Sequence, residues 1–342
     1  MSHLVLHIGT HKTGTTAIQN VFWRNSAELE SNGVIYPRLH RRHSGHHGLI
    51  AEAAQLPLAY RLSGGGWDAM KRLADRWKSS DVTLFLSSEE FSRAEEAKAV
   101  DFARIAALFS GFDRITALCA LRPQWRFLQA IYLEISRNRS PPRPPEMVAE
   151  ALGHGRCQGL YMDYADLLDR LDRAFGAENI RLVDFEHARC QPGGMIQEAL
   201  CVAGLNVDGL ELKHERANVS GSALPQWAAN LLAEPWAASP ELVAKIRQTV
   251  LGQFGNAETC LLTRNEVAQM RAAFRGANLT VAERMGGRPL TDPELSADCV
   301  YREDPGLEFW LHCGRSLARP MVPAACELDQ IQSKRPFRAT NP

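Results

Sequence analysis

HLVLHIGTHKTGTTAIQNVF, residues His3 to Phe22, runs from an apolar stretch through a glycine- and threonine-rich turn into a stretch of helical composition. Leu4 to Ile8 reads as a strand and Thr15 to Asn25 as a helix. A strand that ends in a glycine turn and opens a helix presents backbone N–H groups to an anion, and the helix dipole adds positive potential there. Gly9 and Gly14 have the G-x-x-x-x-G spacing of a Walker A loop, but Thr15 and Thr16 stand where that loop needs Lys and Ser/Thr. The lysine is Lys12, two residues ahead of Gly14. From there it meets an anion at the loop crest, and the usual arrangement around magnesium is lost. A helix end with threonine caps and an incidental lysine is the structural alternative. The combination of strand, two glycines, interior lysine, two threonines and helix favours a phosphate loop.

The other apolar runs extend this pattern. Val82–Leu86, Ile115–Leu121 and Ile180–Phe185 read as strands. Trp67–Lys78, Ala94–Phe109, Gln124–Arg137 and Tyr164–Phe175 read as helices. Alternation of the two predicts an α/β fold of three layers, a mostly parallel sheet flanked by helices. RNRSPPRPPE, Arg137 to Glu146, has four prolines and is expected to be a stiff loop. From about Leu224 the chain reads as mainly helical, over Gln226–Leu232, Pro240–Phe254 and Thr263–Asn278. No linker divides it, so residues 1–325 are expected to form one domain with a helical part over 224–325, and residues 326–342 a flexible tail.

The 342 residues are 45% hydrophobic and 23% charged, with zero formal net charge. There is no global basic field for nucleic acid or an anionic membrane, so an anion site must be local. No apolar run approaches a membrane span and no secretory signal is visible, so a cytoplasmic protein is expected. The eight cysteines include no Cys-x-x-Cys pair. They are expected to be reduced and mostly buried, with no zinc or redox motif.

HIGTHKTGTTAIQ resembles the 5′-phosphosulfate loop of sulfotransferases that use 3′-phosphoadenylyl sulfate (PAPS). The resemblance implies a P-loop-NTPase-like fold. It implies that His11, Lys12, Thr13, Gly14, Thr15 and Thr16 wrap the 5′-phosphate and sulfate. It also implies that Arg122, at the end of the strand Ile115–Leu121, holds the donor's 3′-phosphate. In the family a serine follows that arginine by eight residues; here Ala130 stands there, and Arg126, one turn after Arg122, is the candidate substitute. FGAENIRLVDFE (Phe175 to Glu186) and LFLSSEEFSR (Leu84 to Arg93) resemble further family stretches. So does HERANVSGS (His214 to Ser222), whose Arg216 and Asn218 are the donor-binding candidates.

Sulfuryl transfer is an in-line displacement in which charge builds on the oxygen bridging phosphorus and sulfur. A lysine aimed there stabilises the transition state, which is the role expected of Lys12. The acceptor must lose a proton, and the chemistry needs no metal. Glu89, after the strand Val82–Leu86, is one candidate base, although SSEE is also a helix-start signal. The loop YPRLHRRHSGHHGLI, Tyr36 to Ile50, is the other region, with His46 or His47 as the base. It reads either as a basic lip for the acceptor or as an exposed polar loop. Trp67, Trp125 and Tyr132 could stack on a ring, or be core. The expected function is a PAPS-dependent sulfotransferase acting on a carbohydrate or other small hydroxylated acceptor. A P-loop kinase using NTP and a catalytically inactive nucleotide-binding protein are the alternatives.

Overall fold

Leu4, Val5, Leu6 and Ile8 are all buried, and their alternation decides how the sheet is covered. They lie in strand β1, His3–Gly9. Leu4, Leu6 and Ile8 enter one apolar cluster and Val5 another. Two further strands divide the same way. In β3, Thr83–Ser87, Leu84 and Leu86 oppose Phe85; in β4, Arg114–Leu121, Cys119 and Leu121 oppose Leu118 and Ala120. Successive side chains point to opposite faces of a strand, so apolar residues at every position require a helix layer on both sides.

The structure, a computed structural model, describes residues 1–41, 43–95, 98–206, 212 and 222–318. With β2 (Val34–Ile35) and β5 (Ile180–Asp184) the strands form a five-stranded sheet in the order β2-β3-β1-β4-β5. Every pair is parallel, with Leu4 opposite both Leu84 and Ile115. On one face lie helix α2 (Gly66–Trp77), α3 (Phe102–Leu108) and α5 (Tyr164–Phe175), through Met70, Ile105 and Leu167. On the other lie α1 (Thr15–Arg24) and α6 (Gly194–Val202), through Ile18, Phe22 and Leu200. The result is a three-layer α/β fold in which β1, its loop and α1 occupy the centre.

A third apolar cluster is built on α4, Gln124–Ile135. Its Phe127, Leu128 and Ile131 pack with Trp227, Ile246, Met270 and Phe309 from the helices Ala223–Ala233, Pro240–Phe254, Arg264–Ala273 and Leu307–Ala318. Trp125 and Tyr132 belong to this core, and Trp67 is covered by the Arg104 guanidinium 4.0 Å from its ring centre. None of the three presents a free stacking face.

Three expectations need correction. The helix expected over Ala94–Phe109 begins only at Phe102, because the Asp101 side chain caps it by accepting from the Arg104 N–H. The residues before it pair outward instead, with the Ala94 N–H donating to the Gly159 carbonyl. In RNRSPPRPPE the loop ends early: Pro144 opens a helix, Pro144–His154, in the first turn where proline lacks nothing the helix needs. The helix expected over Thr263–Asn278 is two, Arg264–Ala273 and Arg275–Arg284. All seven described cysteines are free thiols, five of them buried. No helix among the described residues is long and apolar enough to cross a membrane. The expected tail lies outside the described residues.

Candidate functional site

The carboxyl ends of β1, β3, β4 and β5 meet at one edge of the sheet, where ligands bind in open α/β folds. They carry Gly9, Glu89, Arg122 and Glu186 respectively, so residues far apart in sequence arrive at one place. Gly9 has φ of +95°, and a Cβ there would stand 3.0 Å from the Glu89 Cβ. The start of the loop between β1 and α1 therefore lies directly against the β3 end, an approach that requires glycine.

The loop is braced from inside. The Thr10 N–H and hydroxyl both donate to the Ala120 carbonyl at 3.0 Å, and the Thr13 hydroxyl donates to the Thr10 carbonyl at 2.6 Å. The Thr13 hydroxyl is thus committed to the loop itself. Lys12 has φ of +58° and Gly14 of +80°, which turns the chain over the crest and into α1. The α1 N-terminus has no side-chain cap. Among the described residues, no hydrogen bond leaves the backbone N–H groups of residues 11 to 16. Six consecutive donors are therefore unpaired at a helix start, the arrangement an anion takes, although Thr13 is itself fully buried. Thr15 is buried beneath them and Thr16 is exposed.

Arg122 grips the same crest. Its Nη1 donates to the Lys12 carbonyl at 3.1 Å, and its Nη2 to Glu186 Oε1 at 2.5 Å. Its Nε is buried with no partner among the described residues. The second Glu186 oxygen lies 2.6 Å from Arg189 Nε, close enough for an ion pair but off the hydrogen-bond direction. Arg126 pairs with Glu258 at 3.2 Å, and Ala130 lies on the same helix. Lys12 Nζ stands 2.7 Å from Glu134 Oε2, also on α4. Arg216 and Asn218 lie outside the described residues.

Glu89 sits in a polar network beside the loop. Gln19, from the inner face of α1, donates to Glu89 Oε2 at 2.8 Å. His47 Nδ1 lies 4.0 Å from the same oxygen and 2.8 Å from the Ser88 hydroxyl. Burial opposes the charged form of Glu89, but His47, His11 and the Gln19 bond outweigh it and hold its pKa below the usual carboxylate range. The expected helix start at SSEE is a single 3₁₀ turn, Glu89–Ser92, capped by Ser88, so the cap and the site coexist. Of the two histidines considered as base, His46 is excluded. Its Nε2 lies 2.8 Å from the Pro37 carbonyl, its Nδ1 accepts from the Ser87 N–H at 2.9 Å, and burial holds its pKa down at about 4. His47 remains, with Tyr60 edge-on at 5.6 Å. His11 reaches back from the loop to Glu90 at 3.4 Å, and Arg93 holds that carboxylate at 2.6 Å.

Sequence reading missed Gln19, Glu134 and Glu186. Glu186 closes the quoted stretch FGAENIRLVDFE, so the signal was in view; nothing local marks Gln19 or Glu134, whose partners are distant in sequence. Among the described residues no group of three or more His, Cys, Asp or Glu is placed to hold a metal ion.

No protein-family model matches the chain, and comparison with curated proteins returns no match. Among solved structures, a sulfotransferase from Alicyclobacillus acidocaldarius is similar with a TM-score of 0.40 and 14% identity, covering 79% of this chain and 95% of that one.

Proposed function

We propose that the chain is a sulfotransferase that moves the sulfuryl group of PAPS to a hydroxyl or amine of a carbohydrate or other small acceptor. The observation that carries this reading is the row of unpaired N–H groups over residues 11 to 16, with Lys12 at the crest and Thr15 rather than lysine directly after Gly14. Such a cradle fits a phosphosulfate held by dipoles and one ammonium. In this reading the backbone of residues 11 to 16 holds the 5′-phosphate and sulfate. Lys12 stabilises charge on the departing phosphate oxygen, an interaction of about 4 kcal/mol at contact in an effective dielectric near 20. That corresponds to roughly three orders of magnitude in rate.

Arg122 fixes the crest by its bond to the Lys12 carbonyl, and its unpartnered Nε is the donor left for the 3′-phosphate. Glu89 accepts the acceptor's proton. Its network keeps it ionised, and Gln19 and His47 keep it in place. His47 is the second group able to carry that proton. Arg216 and Asn218 remain proposed donor contacts. Residues 1–325 work as one unit in this account, because α4 serves both the site and the helical part. We also place the protein in the cytoplasm.

The test is turnover. PAPS is mixed with a panel of hydroxylated sugars and phenols in the presence of EDTA, and 3′-phosphoadenosine 5′-phosphate is measured by chromatography. The expected result is metal-independent product formation that falls about 10²–10³-fold in Lys12→Ala. Phosphoryl transfer from ATP with magnesium, and none from PAPS, would establish a kinase instead.

A further inference from the structure

Lys12 is occupied in the structure. Its Nζ lies 2.7 Å from Glu134 Oε2, and Arg137 Nη1 lies 3.0 Å from that same oxygen. Glu134 stands on α4 one turn beyond Ala130, and its side chain is 44% exposed against 29% for Lys12. Water reaches both groups, so the pair can open. The Lys12 backbone cannot follow, because its carbonyl is held by Arg122 and its φ of +58° lies at the turn of the crest. Any movement between Glu134 and the N–H row is a rotation of the lysine side chain alone, which its long flexible stem permits.

We infer that Glu134 is a positioning residue that parks Lys12 against α4 until a polyanion at the N–H row displaces it. The inference rests on the proposed donor reading. A carboxylate and a phosphosulfate are alternative partners for one ammonium. When Lys12 leaves, Arg137 stays with Glu134, so the carboxylate is not stranded. Donor entry thus exchanges one ion pair for another and breaks no buried contact. The same carboxylate sets a threshold: a singly charged anion gains little over Glu134, whereas a phosphosulfate or pyrophosphate brings charge enough to win. Glu134 therefore selects for multiply charged donors and lowers the affinity for all of them.

The experiment is calorimetric titration of the full chain with 3′-phosphoadenosine 5′-phosphate, and separately with inorganic pyrophosphate, in wild type, Glu134→Gln, Glu134→Asp and Arg137→Ala. The expected result is binding about 3- to 10-fold tighter in Glu134→Gln, with both probes. Glu134→Asp keeps the wild-type affinity. Arg137→Ala binds more weakly than wild type, because the released carboxylate then has no second partner. In turnover the gain of Glu134→Gln is read in the donor KM, a change that a merely structural surface pair would not produce. Wild type that binds the probes while Glu134→Gln binds no tighter overturns the latch and leaves the donor reading standing. Failure of 3′-phosphoadenosine 5′-phosphate to bind any variant overturns the donor reading, and pyrophosphate then decides the latch by the same comparison.

Discussion

Replacing Glu186 by methionine leaves the Arg122 guanidinium buried without its counter-charge. Glu186 is 1% exposed, and the Arg122 side chain is 12% exposed. The lost contacts are the 2.5 Å bond to Arg122 and the 2.6 Å contact to Arg189. Arg189 is half exposed and turns to water at little cost, so the penalty falls on Arg122. Removing one member of a buried pair costs about 3–5 kcal/mol. At about 2 °C per kcal/mol for a chain of this size, the melting temperature falls by about 6–10 °C. The double variant Arg122→Met/Glu186→Met removes both charges. It should return to within about 1–2 kcal/mol of wild type, the residue being the lost bond to the Lys12 carbonyl. The cycle is read by chemical denaturation, with donor binding measured alongside. Stability should recover in the double variant while donor binding does not, because the crest has lost its brace. A Glu186→Met protein within about 1 kcal/mol of wild type would refute the buried-pair reasoning.

Other perturbations probe the neighbouring parts. Gly9→Ala forces a side chain into left-handed backbone, about 1–2 kcal/mol, with its Cβ 3.0 Å from the Glu89 Cβ. Thermal melts should show that loss together with lower activity, and an unchanged melt would contradict the close approach. His46 keeps a pKa of about 4 in the fold against 6.5 when unfolded. The unfolded chain therefore binds more protons between those values, and stability rises with pH across that window. By pH 4 the site has cost about 3 kcal/mol, and His46→Gln should flatten that part of the stability–pH curve. Glu89, held below the usual range, contributes stability above the ordinary carboxylate pKa that is lost as pH falls. In Glu89→Gln that acid limb should be missing. A Cβ on Gly45 would stand 2.6 Å from His47 Nε2 and 2.8 Å from Gln19 Oε1. Gly45→Ala should lower turnover about 10-fold or more with donor affinity retained, and equal losses of both would contradict separate donor and acceptor sides.

The sheet was legible because its strands are short apolar runs bounded by polar turns, and periodicity reports that pattern directly. Ile180–Asp184 and Tyr164–Phe175 emerge within a residue of their expected ends. The strand–turn–helix form of residues 3 to 24 was legible because all its parts are contiguous. The carboxylates that hold Lys12 and Arg122 were not. Glu134 and Lys12 are separated by 122 positions, and Arg122 and Glu186 by 64, so only the tertiary fold, with α4 brought to the loop and β5 paired to β4, reveals them. His46 and His47 are adjacent and chemically alike. Backbone geometry alone separates them, consuming both ring nitrogens of His46 and leaving His47 beside Glu89. The helix expected from Ala94 failed because Arg93 and Ala94 are drawn into contacts with residues 159–160, which no local signal announces.

The most direct measurement is a pair of titrations of wild-type protein, one with 3′-phosphoadenosine 5′-phosphate in EDTA and one with ATP and magnesium, each repeated in Lys12→Ala. A cradle built for a phosphosulfate predicts micromolar binding of the first without metal, clearly weakened in Lys12→Ala, and much weaker binding of the second. Tighter binding of ATP with magnesium, indifferent to Lys12, would contradict it.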